Sequence, residues 1–127
     1  SYKTLIEMRD YIESLIKNLG LPYRVLNLCG GDLGYTSAQT FDFEVFSAGQ
    51  MRWLEVSSVS NFETYQSNRL KLRFKDQATK KSKLAHTLNG SALALPRIVA
   101  TLLENNYKDG KVVIPEVLRA YTGFNTI

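Results

Sequence analysis

The sequence predicts an α+β fold, an antiparallel sheet flanked by helices, on three observations. Residues 39–46 (QTFDFEVF) alternate strictly, with Phe41, Phe43 and Val45 on one face and Thr40, Asp42 and Glu44 on the other, the period of a half-buried strand. Residues 51–58 (MRWLEVSS) follow after a connection of only SAGQ, and strands joined so closely must be antiparallel. Helical spacing brackets the pair, with Leu5, Met8, Ile12, Leu15 and Leu19 before it and Leu95, Ile98, Val99, Leu102 and Leu103 after it. Such an order suits helices packed on one face of a sheet.

Taken in order, Thr4 and Glu7 have capping-box spacing at the start of the first helix, and Gly20 before Pro22 supplies its stop. Residues 24–28 form a weakly alternating strand. Residues 29–34 (CGGDLG) form a glycine-rich loop, which serves either as a plain turn or as a place where backbone meets a ligand. After the two strands, residues 61–74 read as a helix carrying Phe62, Tyr65, Leu70 and Phe74, running into a basic loop at 76–83. Residues 84–89 alternate again, with Leu84, His86 and Leu88 on one face, and Asn89-Gly90-Ser91 reads as a turn. The helix beyond is apolar around most of its circumference, which predicts burial on most sides. Pro96 is harmless only within a first turn, so this helix should begin near Leu93 or kink at Pro96. Asp109-Gly110 marks a turn before a short strand at 112–114, then a helical turn at 116–118 and a coil tail.

The 127 residues suit one core-forming domain spanning 1–127, since a chain of about 150 residues buries roughly two-thirds of its unfolded surface. Hydrophobic content of 44% and aromatic content of 11% exclude a disordered chain. No apolar run approaches the roughly 18 residues of a membrane span, and no leader pattern opens the sequence, so a cytoplasmic protein with no membrane partner is expected. One cysteine and one histidine exclude an internal disulfide and argue against zinc. Cys29 reads as a small buried hydrophobe and His86 as a packed or hydrogen-bonded strand residue.

The net charge of +4 is unevenly spread. Seven of the sixteen Lys/Arg but only one of the twelve Asp/Glu fall in residues 69–83 (RLKLRFKDQATKKSK), leaving the rest of the chain at −2. Arg97 is the anomaly in its apolar helix. A guanidinium cannot lose its proton, so Arg97 needs an acidic partner or an anionic ligand, and a helix start suits a phosphate. On the strand 51–58, strict alternation separates Glu55 from Ser58; the two share a face only if the strand bends or ends near Ser57.

Three groups of residues together resemble the seryl-tRNA synthetases, within the class II aminoacyl-tRNA synthetases. Residues 21–46 are similar to that family's C-x-G-D-L-G loop and T-[YF]-D-x-E-V strand. Residues 54–74 (LEVSSVSNFETYQSNRLKLRF) resemble its E-[IV]-S-S-x-S-N-F-x-x-[FY]-Q segment, and residues 86–121, with HTLNGSALALPR, LLENNY and VVIPEVLRAY, its third class II motif and C-terminal end. Gly30 and Gln39 stand where the family commonly has threonine and lysine. The resemblance implies the C-terminal half of the class II catalytic fold, without the N-terminal tRNA-binding arm or the first two class II motifs. It implies part of a serine-tRNA ligase that activates serine with ATP to seryl-adenylate and transfers it to serine tRNA, as a homodimer in the parent enzyme. Glu55 and Arg97 would be catalytic; Glu55, Val56, Ser57, Ser58 and Arg97 would bind ATP; Glu55 and Ser58 would hold Mg2+; Asn89 and Ser91 would lie by the serine substrate. The segment alone is expected to be inactive. The alternative is a non-catalytic, synthetase-like module that binds nucleotide or RNA through its basic segment.

Overall fold

A computed structural model describes the whole chain, Ser1–Ile127. A first helix, α1 (Tyr2–Asn18), leads into β1 (Tyr23–Asn27), β2 (Gln39–Ser47) and β3 (Arg52–Glu63). A short helix, α2 (Tyr65–Leu70), precedes a hairpin of β4 (Arg73–Lys75) and β5 (Ser82–Leu84). Then come β6 (Thr87–Ser91), α3 (Leu95–Asn105), a hairpin of β7 (Tyr107–Lys108) and β8 (Lys111–Val112), and α4 (Glu116–Thr122). The main sheet has the order β1-β2-β3-β6 and is antiparallel throughout. The expected α+β architecture is therefore present.

One face of the sheet carries the core. Phe41, Phe43, Val45, Val56 and Val59 meet Leu5, Ile12 and Ile16 of α1 and Ile98 of α3. Phe43, Leu5 and Ile16 are fully buried, and burying each such side chain is worth about 1.5–3 kcal/mol against leaving it exposed. Gly20, with φ +69°, takes the left-handed position after α1 that a side chain would resist.

Several local expectations are corrected. Thr4 does not cap α1: the helix already begins at Tyr2, with the Leu5 N–H bonded to the Ser1 carbonyl at 2.9 Å. Glu7 instead lies 3.9 Å from Lys3 one turn back. The predicted helix at 61–74 shrinks to α2, because β3 runs on to Glu63 through pairing with β6 and Phe74 belongs to β4. The basic loop is the end of the β4–β5 hairpin. Asn89-Gly90-Ser91 is not a turn but the second half of β6, paired with Ser60, Val59 and Ser58. A Cβ on Gly90 would lie 2.6 Å from both the Ser58 carbonyl oxygen and Val59 Cγ1, so glycine is there for close approach between strands.

The last third differs as well. α3 begins at Leu95 with Pro96 in its first turn and without a kink at an unpartnered proline; Leu93, at φ +64°, is in the left-handed region and cannot join the helix. Only Ile98 and Thr101 of α3 are buried, while Leu95, Val99 and Leu103 are exposed. Burial on most sides is thus not realised: the sheet covers one stripe, and Val99 and Leu103 instead border an apolar cleft of about 240 Å³ with Val113, Leu118 and Phe124. The tail is not coil, since Ile127 and Val112 exchange backbone hydrogen bonds and α4 extends to Thr122. Cys29 is exposed rather than buried, its thiol 3.6 Å from Asp32. His86 is exposed between β5 and β6, with Nδ1 2.8 Å from Ser1 Oγ.

Candidate active site

Antiparallel partners point to the same face of a sheet, so the register assembles the site. Beginning at the β6 edge, Ser91 pairs with Ser58 and Asn89 with Ser60; across β2, Ser58 pairs with Asp42 and Ser60 with Thr40. All lie on the face opposite Phe41, Phe43 and Val45. Glu55 would be excluded from this polar floor by strict alternation. The register shifts between Phe43 and Glu44, however: Phe43 pairs with Ser57 but Glu44 with Glu55, and Val56 is the extra residue. This β-bulge reverses the parity of β3, places Glu55 beside Glu44 and Asp42, and so puts Glu55 and Ser58 on one face. Val56 and Ser57 turn inward, 1% and 2% exposed, so these two can offer a ligand on the floor only their backbone.

The bulge also fixes α3. Before Ser58, β3 has no β6 partner, and the carbonyls around the bulge would be left open. The Ala94 N–H donates to the Val56 carbonyl at 2.6 Å, and Arg97 Nη1 donates to the Glu55 carbonyl at 2.5 Å. Ser57 Oγ donates to the Ser91 carbonyl, tying the end of β6 to the same place. Arg97 is not the buried charge that its apolar helix suggested, and it has no acidic partner. It is exposed, takes part in none of the chain's ion pairs, and reaches the floor's edge from the first turn of α3.

The electrostatics of the floor are uneven. Glu44 is neutralised by Arg24, whose Nε lies 2.5 Å from Glu44 Oε2 and whose guanidinium sits 4.7 Å from the Trp53 ring centre. Asp42 and Glu55 have no such partner. Although Glu55 as a residue is exposed, its carboxyl is held above the ordinary range, first by desolvation against the sheet and next by the charge of Asp42. Arg97 pulls the other way, and Glu44 adds a smaller upward push. A carboxylate held protonated more readily by a second one nearby, beside a serine hydroxyl, belongs to a set of oxygen donors whose repulsion a divalent cation would relieve. No three His, Cys, Asp or Glu side chains converge as a self-sufficient metal site.

Every residue singled out from the sequence thus falls within one neighbourhood: Glu55, Ser58, Asn89 and Ser91 on the floor, Val56 and Ser57 in the bulge, Arg97 at its rim. Two further residues have roles that were not anticipated. Arg24 cancels Glu44, and Gln66 of α2 accepts from Thr87 Oγ1 at 2.8 Å and Asn89 Nδ2 at 3.4 Å, orienting the amide of Asn89. Gln66 closes the E-[IV]-S-S-x-S-N-F-x-x-[FY]-Q segment, but that resemblance assigns it no role, and Arg24 carries no local signal because its partner lies on another strand.

Comparison with known proteins places this geometry in a family. The chain is 53% identical over its whole length to a serine-tRNA ligase from Salinibacter ruber, of which it covers 30%. Among solved structures it superimposes, with a TM-score of 0.93 and 42% identity, on the seryl-tRNA synthetase of Pyrococcus horikoshii complexed with ATP, over 100% of this chain and 29% of that one. It also matches the cytoplasmic serine-tRNA ligase of Naegleria fowleri in complex with AMP, with a TM-score of 0.89 and 31% identity over 99% of this chain and 30% of that one. The chain therefore spans about 30% of the length of these relatives. Residues 1–106 match the model of the tRNA synthetase class II core domain (G, H, P, S and T), and the chain belongs to that family.

Proposed function

We propose that this chain supplies part of the active site of a serine-tRNA ligase, which activates serine with ATP to seryl-adenylate and then charges serine tRNA in the cytoplasm, as a homodimer. The observation that carries the reading is the bulge at Val56, which sets Glu55 and Ser58 together on a polar floor with Arg97 at its rim. The relatives with ATP and AMP bound support a nucleotide at this fold.

Adenylation joins a carboxylate to the α-phosphate while pyrophosphate leaves, so the protein's work is to position anions and neutralise charge. Arg97 fits the outer phosphates: one nitrogen is anchored on the Glu55 carbonyl, which aims the planar fork, and its remaining donors match phosphate oxygens. Glu55 and Ser58 would hold Mg2+, which when bound supplies charge neutralisation at the phosphates. Asn89, oriented by Gln66, and Ser91 offer the amide and hydroxyl groups that a small polar amino acid requires. No nucleophilic side chain is needed.

Serine-dependent ATP–pyrophosphate exchange, measured on the longer protein that carries this segment, tests the reading. Exchange is expected with serine and to fall at least 100-fold in Arg97→Ala, the order seen when one preorganised transition-state donor is removed. Exchange equal in the unsubstituted protein and in both Arg97→Ala and Glu55→Gln would sink it.

A further inference from the structure

The basic segment takes no part in the polar floor. It is the β4–β5 hairpin with the end of α2, and its cations are nearly all free. Arg69, Lys71, Arg73, Lys75, Lys80 and Lys81 are exposed and form no ion pair. Asp76, the segment's single acid, is consumed in building the hairpin. Its side chain accepts from the N–H groups of Ala78 at 2.9 Å and Thr79 at 2.8 Å and pairs with Lys83. Backbone bonds from Lys80 to Asp76 and from Asp76 to Lys81 close the same turn. The tip is therefore ordered, and its organising charge cannot neutralise Lys80 and Lys81.

The root of the hairpin is ordered too. Arg69 lies over the Tyr65 ring at 3.6 Å from its centre, and Tyr65 meets Tyr35 edge-on at 5.7 Å. Beside them is a groove of about 410 Å³ lined in part by Thr36, Ser37, Asn68 and Arg69, and by Leu84, the register partner of Arg73. Cations thus run continuously from the groove wall along the hairpin to its tip, on a frame that does not have to be ordered on binding.

We infer that this surface contacts the phosphate backbone of RNA, the tRNA of the proposed reaction, outside the site where chemistry occurs. The inference rests on that reading for its partner. Free, exposed Lys and Arg on a pre-ordered ribbon suit a polyanion, and such contacts are sequence-independent and release counterions.

The test is tRNA affinity as a function of salt, using a serine-tRNA transcript, for the longer protein and its variant Arg73→Gln/Lys75→Gln/Lys80→Gln/Lys81→Gln. All four positions are exposed and off the core, so the fold tolerates the change. If they touch phosphates, affinity drops and the slope of log K against log salt loses about 3, at roughly 0.7–0.9 per contact. Serine-dependent pyrophosphate exchange, which needs no RNA, is expected to be unchanged in the variant. An unaltered slope would overturn the inference, and so would intact tRNA binding alongside lost binding to phosphatidylserine vesicles, which would reassign the surface to a membrane. Failure of the proposed reaction would appear separately, as absent exchange in the unsubstituted protein.

Discussion

Arg97 Nη1 donates to the backbone carbonyl of Glu55 at 2.5 Å, so the guanidinium at the floor's rim is aimed by the main chain of the residue whose carboxylate lies on the floor. The contact has room to form because β3 has no β6 partner at Glu55, which leaves that side of the strand open. A lysine could keep the charge but not both functions, since only the guanidinium fork can hold the carbonyl and still present further donors. Arg97→Lys is therefore expected to lose at least tenfold in pyrophosphate exchange, with a melting temperature close to that of the unsubstituted chain because the side chain is exposed. Exchange retained in the lysine variant would mean that charge alone suffices.

The raised proton affinity of Glu55 has a definite sign for stability. Its folded-state pKa lies above the unfolded value near 4.5, so the native state binds more protons in the window just above that value. Stability from this group is greatest below the window and falls as pH rises through it. Glu55→Gln removes the penalty, and its melting temperature is expected to exceed that of the unsubstituted chain at pH 7 and to converge with it at pH 4. The same substitution is expected to abolish any stabilisation by added Mg2+. Thermal scans at the two pH values, with and without Mg2+, check both.

How much of this was legible in the sequence depends on whether the deciding contact was local. The alternation at residues 39–46 and the short connection to β3 define a two-stranded core before any tertiary information is used. Whether Glu55 and Ser58 share a face was open, because it depends on a bulge whose register is set by β2, a different strand. Asn89-Gly90-Ser91 has the local signature of a turn, and only the proximity of Ser58 and Val59 reveals a strand glycine. Thr4 and Glu7 had the spacing of a cap but not the position, since helix α1 starts two residues earlier. Motif resemblance covered the floor residues and ran to Gln66 as the last position of its second motif, yet it gave Gln66 no role and had no motif position at Arg24, because the effects of both are pairwise and long-range.

Gly90 gives the most direct test of the sheet's geometry. A Cβ there meets a backbone carbonyl oxygen at 2.6 Å and Val59 Cα at 3.0 Å, and neither atom can swing away as a flexible side chain would. Gly90→Ala is expected to destabilise the chain by about 1–3 kcal/mol, the usual range for overpacking, and to disturb Asn89 and Ser91 on the adjoining positions. Urea unfolding measures the first effect. A variant as stable as the parent would show that β6 and β3 do not approach this closely.

Glu104 links the far end of α3 to the β2–β3 turn and carries the last prediction. Its Oε2 accepts from the buried hydroxyl of Ser47 at 2.5 Å and from the Gly49 N–H at 3.3 Å, and a Cβ on Gly49 would come within 3.0 Å of its carboxyl. This contact and the one from Asn105 Nδ2 to the Phe46 carbonyl at 2.8 Å hold the helix at the opposite end from Arg97. Removing the carboxylate leaves the Ser47 hydroxyl, 0% exposed, without its acceptor, which costs about 1–3 kcal/mol. Glu104→Ala is expected to lose that much in urea unfolding, whereas the double variant Glu104→Ala/Ser47→Ala recovers part of it by removing the stranded donor. Because α3 pivots between its two anchors, Glu104→Ala is also expected to lower pyrophosphate exchange through Arg97, without touching the floor. Unchanged stability together with unchanged exchange would show that the Arg97 end of the helix is positioned by the bulge alone.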